Sequence, residues 1–307
     1  MDNNMVSGYN NNAINNAYTN QSELKYLDLL HRAMIIGEKR DGRNGGTLSL
    51  FGEHITFNVR DEGFPLLTTK RVFWKGVVEE LLWFLKGSTN ANELSDKGVH
   101  IWDGNTSREF LDSRGLTDYP VGECGPIYGY QWRRFNGDEN CDQLRFILKE
   151  LIDNPHGRRA FLSAWNPCQM DKMCLPPCHV SYQWYRGWDG LSCQLYARSQ
   201  DLFLGTPFNI ASTALFTSIL AYVIGVPVSK IHICMGDAHV YSVHIDAVKE
   251  QLERTPRDYP VLRILKPRPT EWSSIDEAIK WIEELRFEDF ELFGYTPLPT
   301  IKAPMVA

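Results

Sequence analysis

Residues 179–225 read HVSYQWYRGWDGLSCQLYARSQDLFLGTPFNIASTALFTSILAYVIG, and two kinds of periodicity follow each other within them. Residues 179–185 and 191–197 alternate in polarity as half-buried strands do, and the glycines at 187 and 190 predict a tight turn between them. Residues 209–224 then form a run without charged side chains that is long enough to be a helix. The stretch predicts an antiparallel hairpin packed against a buried helix.

The second strand of this hairpin has two chemically different faces, because side chains alternate along a strand. One face is apolar (Leu191, Cys193, Leu195), and the other is polar (Ser192, Gln194, Tyr196 and then Arg198). A polar sheet face of this kind usually lines a cavity, so we predict a cavity beside this strand.

The apolar run raises the question of a membrane span, since residues 202–229 carry no charged side chain. Helix breakers at Gly205, Pro207, Gly225 and Pro227 leave roughly 16 helical residues, about 24 Å, against a hydrocarbon core of about 30 Å. The run also contains several Ser, Thr and Asn side chains. A core helix is therefore predicted, with no membrane contact.

Further elements are predicted on both sides of this stretch, and strands and helices interleave irregularly. Helices are predicted at 22–37 (with Ser22 as the N-cap), 68–87, 141–154, 243–253 and 275–285, and strands at 47–59, 160–165, 230–234, 261–265 and 287–293. Residues 41–46 predict a glycine-rich turn and 111–123 a loop. Without repeats or a polar linker, residues 22–307 predict one α+β domain with a large mixed sheet flanked by helices, preceded by a disordered Asn-rich tail at 1–21.

Composition excludes several classes of function. Among 307 residues, 43% are hydrophobic and nine are Trp, which is typical of a globular chain, and the net charge of −6 makes nucleic-acid binding unexpected. The seven cysteines include no C-x-x-C pair, so reduced thiols are expected, and the spacing around Cys168, Cys174 and His179 is no standard metal site. The N-terminus lacks a secretory signal, so a cytoplasmic or nuclear location is expected.

Cys178 is a candidate nucleophile, because Leu175-Pro-Pro-Cys178 would hold a thiol rigidly at the mouth of a strand. The alternative is an inert buried cysteine. A reactive thiol needs a cation that lowers its pKa. Arg158-Arg159 and Arg198-Ser199 offer guanidinium and hydroxyl donors that suit a phosphate, although solvated surface arginines would look the same.

Two adjacent glutamates on the helix predicted at 68–87 should differ in environment. At 100° per residue, Glu80 borders the stripe of Val77, Leu81 and Phe84, whereas Glu79 falls on the polar side. Glu80 is therefore predicted to have a raised pKa and to suit proton relay, with a partly exposed edge glutamate as the alternative. Glu79 is predicted to be an ordinary solvated acid.

Eight sequence blocks occur in a recognisable order along residues 23–307. They are ELLWFL (80–85), GPIYGYQW (125–132), RR (158–159) with SAWN (163–166), PCH (177–179), RSQDLFLGTPFN (198–209), GDAHVY (236–241), FEDF (287–290) and IKAP (301–304). In these blocks the chain resembles the thymidylate synthase family.

The resemblance implies reductive methylation of dUMP to dTMP, with 5,10-methylenetetrahydrofolate as carbon and hydride donor, dihydrofolate as product and no metal. It implies that Cys178 adds to uracil C6, that Tyr128 helps to remove the C5 proton, and that Glu80 serves proton relay. Further implied roles are base pairing for Asn209, a water network at O4 for His179, and cover of the one-carbon intermediate for Trp102.

The resemblance also implies a homodimer packed sheet to sheet, with a phosphate site shared between subunits. Its members would be Arg198 and Ser199, joined by Arg158 and Arg159 from the other subunit and by Arg43 of the loop at 41–47. That loop reads DGRNGGT where the family has DRTGTGT, so Arg43 fills the role only if the loop is one residue shorter beyond it. His239 and Tyr241 would bind the deoxyribose, Asp201 and Trp102 the folate, and residues 305–307, ending at Ala307, would close as a lid.

Two other functions are compatible with these blocks. One is a pyrimidine nucleotide hydroxymethylase of similar fold, in which water captures the one-carbon intermediate. The other is a non-catalytic RNA-binding relative. Trp102 and the intact C-terminal block favour the synthase over the hydroxymethylase, and the joint presence of Cys178, Glu80, Tyr128 and Asn209 favours an enzyme.

Overall fold

The computed structural model describes residues 20–42 and 45–306, and a mixed sheet of six strands forms its centre. The strand order is β1-β2-β6-β5-β4-β3, and every pair is antiparallel except β5 with β6. The strands are β1 (Glu38–Gly42), β2 (Gly45–Asn58), β3 (Phe161–Ser163), β4 (His179–Gly187), β5 (Gly190–Asp201) and β6 (Val228–Tyr241), while β7 (Val261–Ile264) and β8 (Phe290–Phe293) form a separate ribbon. The predicted α+β domain is confirmed. Arg43, Ala307 and most of the predicted tail lie outside the described residues.

Helices cover one face of the sheet and the ends of its strands. They are α1 (Gln21–Ile36), α2 (Val59–Glu62), α3 (Trp74–Leu85), α4 (Asn92–Ser95), α5 (Arg108–Ser113), α6 (Tyr128–Arg133), α7 (Gln143–Asp153), α8 (Gly205–Ile224), α9 (Ile245–Leu252) and α10 (Ile275–Glu283). The predicted loop at 111–123 is thus partly helical, because Ser107 accepts a hydrogen bond from the N–H of Phe110 and caps α5.

The hairpin of β4 and β5 and the helix α8 form the core as expected. Gly187 pairs with Gly190 across a two-residue turn, and Trp184 of β4 points inward, where its Nε1 donates to Thr217 of α8. α8 is long and apolar enough to cross a membrane, but most of its apolar stretch is buried inside this protein. Because α8 carries the chain from β5 to β6, those two strands run parallel.

α8 begins at Gly205 and not at 209, so the two predicted breakers Gly205 and Pro207 lie inside it. Proline is tolerated there because the first N–H groups of a helix have no partner within the helix. The carboxylate of Asp201 accepts from the N–H groups of Phe203, Leu204 and Gly205 and so supports this start.

The start of α1 corrects the predicted cap and the boundary of the tail. Asn20, not Ser22, is the N-cap, since its Oδ1 accepts from the N–H of Glu23. Gln21 therefore belongs to the helix. The hydroxyl of Ser22 instead accepts from the N–H of Asn58 at the end of β2.

The predicted helix at 68–87 begins too early and ends slightly late, since α3 spans Trp74–Leu85. The N–H groups of Thr68 and Thr69 both donate to the buried carboxylate of Glu23. Their hydroxyls donate to the same carboxylate. These two residues therefore serve a tertiary contact with α1.

The outer face of the sheet is an open surface in the single chain, where a cavity lining was predicted. Gln194 is exposed, and the register places Phe161, Tyr185 and Tyr196 on the same face, with 46%, 64% and 42% of their surfaces exposed. The prediction was wrong because no described element covers this face. β6 is also longer than the predicted 230–234, since it pairs with β2 as far as Tyr241.

A candidate active site around Cys178

Cys178 is held at the entrance of β4 by backbone contacts on two sides. Its N–H donates to the hydroxyl of Tyr128 at 2.8 Å, and its carbonyl accepts from the N–H of Arg198 at 3.0 Å. Two prolines precede it and restrict the chain further. The sulfur is therefore presented from a fixed backbone.

The side chain of Arg198 provides the cation that a reactive thiol requires. Its Nε and Nη2 donate to the carbonyls of Pro177 and Pro176, both at 2.9 Å, and Nη2 lies 3.9 Å from Sγ of Cys178. Burial raises the pKa of the Cys178 thiol above its ordinary value, and the charge of Arg198 opposes that rise. Burial has the larger effect.

The sulfur faces a cavity of about 200 Å³ at the junction of α3, α6, β4 and α8. Six residues singled out from the sequence line it together: Glu80, Trp102, Tyr128, Cys178, His179 and Asn209. Apolar walls come from Phe84, Ile101 and Leu175. Residues as far apart in the sequence as Glu80 and Asn209 thus meet in one place.

Glu80 lies on the wall of this cavity, and its carboxylate accepts from Nε1 of Trp102 at 2.8 Å. Its apolar surroundings raise the pKa of Glu80 to about 7, and the Trp102 hydrogen bond limits the rise. The predicted rise in pKa is confirmed.

The prediction for Glu79 was wrong, because Glu79 is buried. Its carboxylate accepts from Nζ of Lys97 at 2.6 Å. Helix α4 and the residues after it pack against α3 and bury the face that periodicity assigned to solvent.

His179 is uncharged at neutral pH, because burial lowers its pKa to about 4. Its Nδ1 lies 3.2 Å from the hydroxyl of Tyr182, and a hydrogen bond with Asn209 partly opposes the shift. The site thus contains a neutral imidazole beside an amide.

The predicted phosphate residues are not all in one place. Ser199 follows Arg198 on β5, but Arg158 and Arg159 are exposed ahead of β3 and line a separate depression. Nε of Arg159 donates to Glu150 at 3.3 Å. Within one chain these two arginines do not line the Cys178 cavity.

The predicted ribose and folate residues lie at the neighbouring ends of β5 and β6. His239 is buried, and its Nδ1 lies 3.1 Å from the carboxylate of Asp237, while its Nε2 has no partner in the described part of the chain. The ring of Tyr241 lies 4.8 Å from that of His239. Although burial opposes ionisation, contacts with His244 and with N–H groups at the start of α8 hold the pKa of Asp201 below its ordinary value.

Asn105 lines the cavity and was not predicted from the sequence. Its Nδ2 is buried and has no partner among residues 20–42 and 45–306. A buried amide donor without a partner suits an acceptor on a bound ligand. In the sequence, its position three residues after Trp102 is the feature that could have indicated this role.

Within residues 20–42 and 45–306, no three His, Cys, Asp or Glu side chains are grouped so that they could hold a metal ion.

Comparison with known proteins supports the resemblance read from the sequence blocks. The family model described as thymidylate synthase matches residues 24–307. The chain belongs to the thymidylate synthase family. The human thymidylate synthase is 48% identical over 295 residues, which cover 92% of this chain and 90% of the human protein.

Two further relatives extend the comparison within the thymidylate synthase family. The thymidylate synthase of Saccharomyces cerevisiae is 46% identical over 93% of this chain and 97% of its own length. The bifunctional dihydrofolate reductase-thymidylate synthase of Leishmania amazonensis is 48% identical over 93% of this chain. The chain spans 55% of that bifunctional relative.

Proposed function

We propose that the protein is a methyltransferase that converts dUMP reductively to dTMP, with 5,10-methylenetetrahydrofolate as co-substrate and dihydrofolate as product. The observation that carries this proposal is the meeting of Cys178, Glu80, Tyr128 and Asn209 around one cavity, with Arg198 beside the sulfur. Membership of the thymidylate synthase family supports the same reaction.

The nucleophile is the thiolate of Cys178, which adds to C6 of the uracil ring and leaves C5 as the carbon nucleophile. Arg198 favours the thiolate, because its guanidinium is held 3.9 Å from the sulfur by the carbonyls of Pro176 and Pro177. Tyr128, whose hydroxyl accepts from the backbone N–H of Cys178, assists removal of the C5 proton through water.

Glu80 holds and transfers protons in this site. A carboxyl with a pKa of about 7 is populated in both charge states at neutral pH, which suits a group that must accept and return a proton. Nε1 of Trp102 keeps its carboxylate oriented toward the cavity.

Asn209 reads the uracil base with its amide, which can accept from N3–H and donate to O4. The neutral His179 hydrogen-bonded to it belongs to the network near O4. His239 and Tyr241 bind the 3′-hydroxyl of the deoxyribose, and the Nε2 of His239 that lacks a partner in the described chain suits this role.

The phosphate is bound by Arg198 and Ser199 together with Arg158 and Arg159 of the partner subunit in a homodimer, and Arg43 completes this set. Two observations support a shared site. Arg158 and Arg159 are exposed and lie outside the cavity of their own chain. The sheet also exposes aromatic side chains on its outer face, a surface that a second copy would cover.

The folate co-substrate, which supplies a one-carbon unit and a hydride, is contacted by Asp201 and Trp102. The buried Nδ2 of Asn105 on the cavity wall, which has no partner among the described residues, fits such a second ligand. Residues 305–307, ending at Ala307, close over both ligands and exclude water. The protein acts in the cytoplasm or the nucleus.

Release of tritium from C5-labelled dUMP, measured together with dihydrofolate absorbance, tests this proposal. Tritium release and dihydrofolate formation in equal amounts are expected for the synthase. Tritium release without dihydrofolate would indicate a hydroxymethylase, and the absence of both would indicate a non-catalytic protein. Cys178→Ser is the matched control: it should retain dUMP binding and lose both signals, because a hydroxyl is a far weaker nucleophile.

A further inference from the structure

The ring of His244 is buried beside the C-terminal segment, outside the residues that line the Cys178 cavity. It ends the short turn Ser242–His244, which follows directly on β6. Its Nε2 donates to the carbonyl of Pro304 at 2.8 Å, since a carbonyl can only accept. His244 therefore holds the backbone close to the end of the described chain.

The other ring nitrogen of His244 faces the carboxylate of Asp201. The distance from Nδ1 to Oδ1 is 3.8 Å, too long for a hydrogen bond and short enough for an ion pair when the imidazole is protonated. Nδ1 has no hydrogen-bond partner within the described ranges. A single buried ring thus lies between the C-terminal segment and the carboxylate at the end of β5.

The groups around this ring shift the pKa of His244 in opposite directions. Burial alone would lower the pKa of His244, but Asp201 and the Pro304 carbonyl raise it above its ordinary value. Lys70 opposes that rise, and burial lowers the pKa of Lys70 itself to about 7. The ring of Tyr241 packs against His244 from β6 at 5.5 Å.

We propose that His244 is a positioning residue that ties the C-terminal segment to the Asp201 carboxylate. The inference rests on the proposed function, in which Asp201 contacts the folate and residues 305–307 close over it. One imidazole then holds the group that contacts the folate and the segment that covers it. Protonated His244 attracts both the carboxylate and the carbonyl, whereas neutral His244 retains only the bond to Pro304.

The hydrogen bond from His244 to Pro304 anchors the C-terminal segment. This anchor can be tested without any substrate, by native-state trypsin cleavage after the exposed Lys302. Intact mass would report loss of residues 303–307. His244→Phe removes the donor and the charge. Cleavage should then be about tenfold faster, because local opening of the segment no longer has to break a buried hydrogen bond. His244→Gln can still donate to Pro304 and should be affected less. His31→Gln, at an exposed position on α1, is the control. Equal cleavage rates in all four proteins would overturn the anchor.

Steady-state kinetics test the link to Asp201. In His244→Gln the KM for the folate should rise several-fold while the KM for dUMP stays within about twofold, because only the folate side loses its support. In the wild type the folate KM should rise as pH increases through the pKa of His244, since the attractive charge is then lost, and the variant should lack this dependence. An unchanged folate KM with the wild-type pH profile would contradict the link. If the wild type forms no dTMP at all, the proposed function fails, but the cleavage experiment still decides on the anchor.

Discussion

The environment of single side chains explains how a carboxylate and a thiol come to differ from their ordinary chemistry. Glu80 and Cys178 both have a raised pKa, and burial is the main cause for each. A nearby donor limits each rise: Nε1 of Trp102 for the carboxylate and the guanidinium of Arg198 for the thiol. Reactivity at this site thus depends on apolar walls that disfavour the charged form of each group and on one nearby hydrogen-bond donor or cation that favours it.

Replacement of the Trp102 donor should raise the pKa of Glu80 above about 7, because the N–H stabilises the charged carboxylate. In Trp102→Phe, the inflection that Glu80 causes in the pH profile of tritium release should move to higher pH. Trp188→Phe, at the exposed tip of the β4–β5 hairpin, should leave the inflection in place. An inflection that stays at the wild-type pH in Trp102→Phe would mean that this hydrogen bond does not tune Glu80.

Choice of base should depend on Asn209. Cytosine reverses the donor and acceptor at positions 3 and 4, so the amide would face like groups, at a cost of about 1–3 kcal/mol for each unsatisfied buried group. Asn209→Asp removes the donor to O4 and supplies an acceptor for the cytosine amino group. We expect the ratio of kcat/KM for dCMP to that for dUMP to increase by on the order of a hundredfold. Both nucleotides would be measured with the same folate, and an unchanged ratio would show that Asn209 does not read the base.

At the scale of elements, carboxylates that belong to other elements decide where two helices begin. α3 starts at Trp74 because the preceding threonines bind Glu23 of α1, and α8 starts at Gly205 because Asp201 accepts its first N–H groups. Each carboxylate satisfies several backbone donors that would otherwise be buried without a partner. The active-site helices are therefore positioned by acids outside the Cys178 cavity.

Glu23→Leu should destabilise the fold, because it leaves the N–H groups and hydroxyls of Thr68 and Thr69 without their acceptor. We expect a loss of about 3 kcal/mol in the free energy of unfolding, measured by urea titration. Glu139→Leu, at a carboxylate whose ion pair with Arg134 is exposed, should change the same quantity by less than about 0.5 kcal/mol. Equal effects of the two substitutions would show that the Glu23 contacts are not needed for stability.

At the scale of the whole molecule, the site is incomplete within one chain under the proposed function. Arg158 and Arg159 lie on a surface apart from the cavity, and the outer face of the sheet carries exposed aromatic side chains. A second copy packed on that face would cover the aromatic surface and bring the arginines toward the other cavity.

Mixing the double variant Arg158→Ala/Arg159→Ala with Cys178→Ala should restore activity, although each is inactive alone. A heterodimer would contain one site with an intact Cys178 and arginines from the other chain, so recovery to roughly a quarter of wild-type activity is expected at full exchange. Native mass spectrometry would establish subunit exchange. Background activity after proven exchange would contradict the shared site.

Local periodicity in the sequence determined the elements that build the site. The alternation in β4 and β5, the uncharged run of α8 and the angular position of Glu80 on α3 were all readable, because each depends on neighbours within a few residues. The chemistry of the cavity followed from recognisable blocks, so Cys178, Tyr128 and Asn209 could be named before their positions in space were known. Only the tertiary structure decided that Glu79 is buried, that Thr68 and Thr69 precede the helix, that Asn105 faces the cavity and that Arg158 and Arg159 do not. The physical reason is that periodicity specifies which side of an element is apolar, whereas burial and hydrogen bonding depend on segments that come from distant parts of the chain.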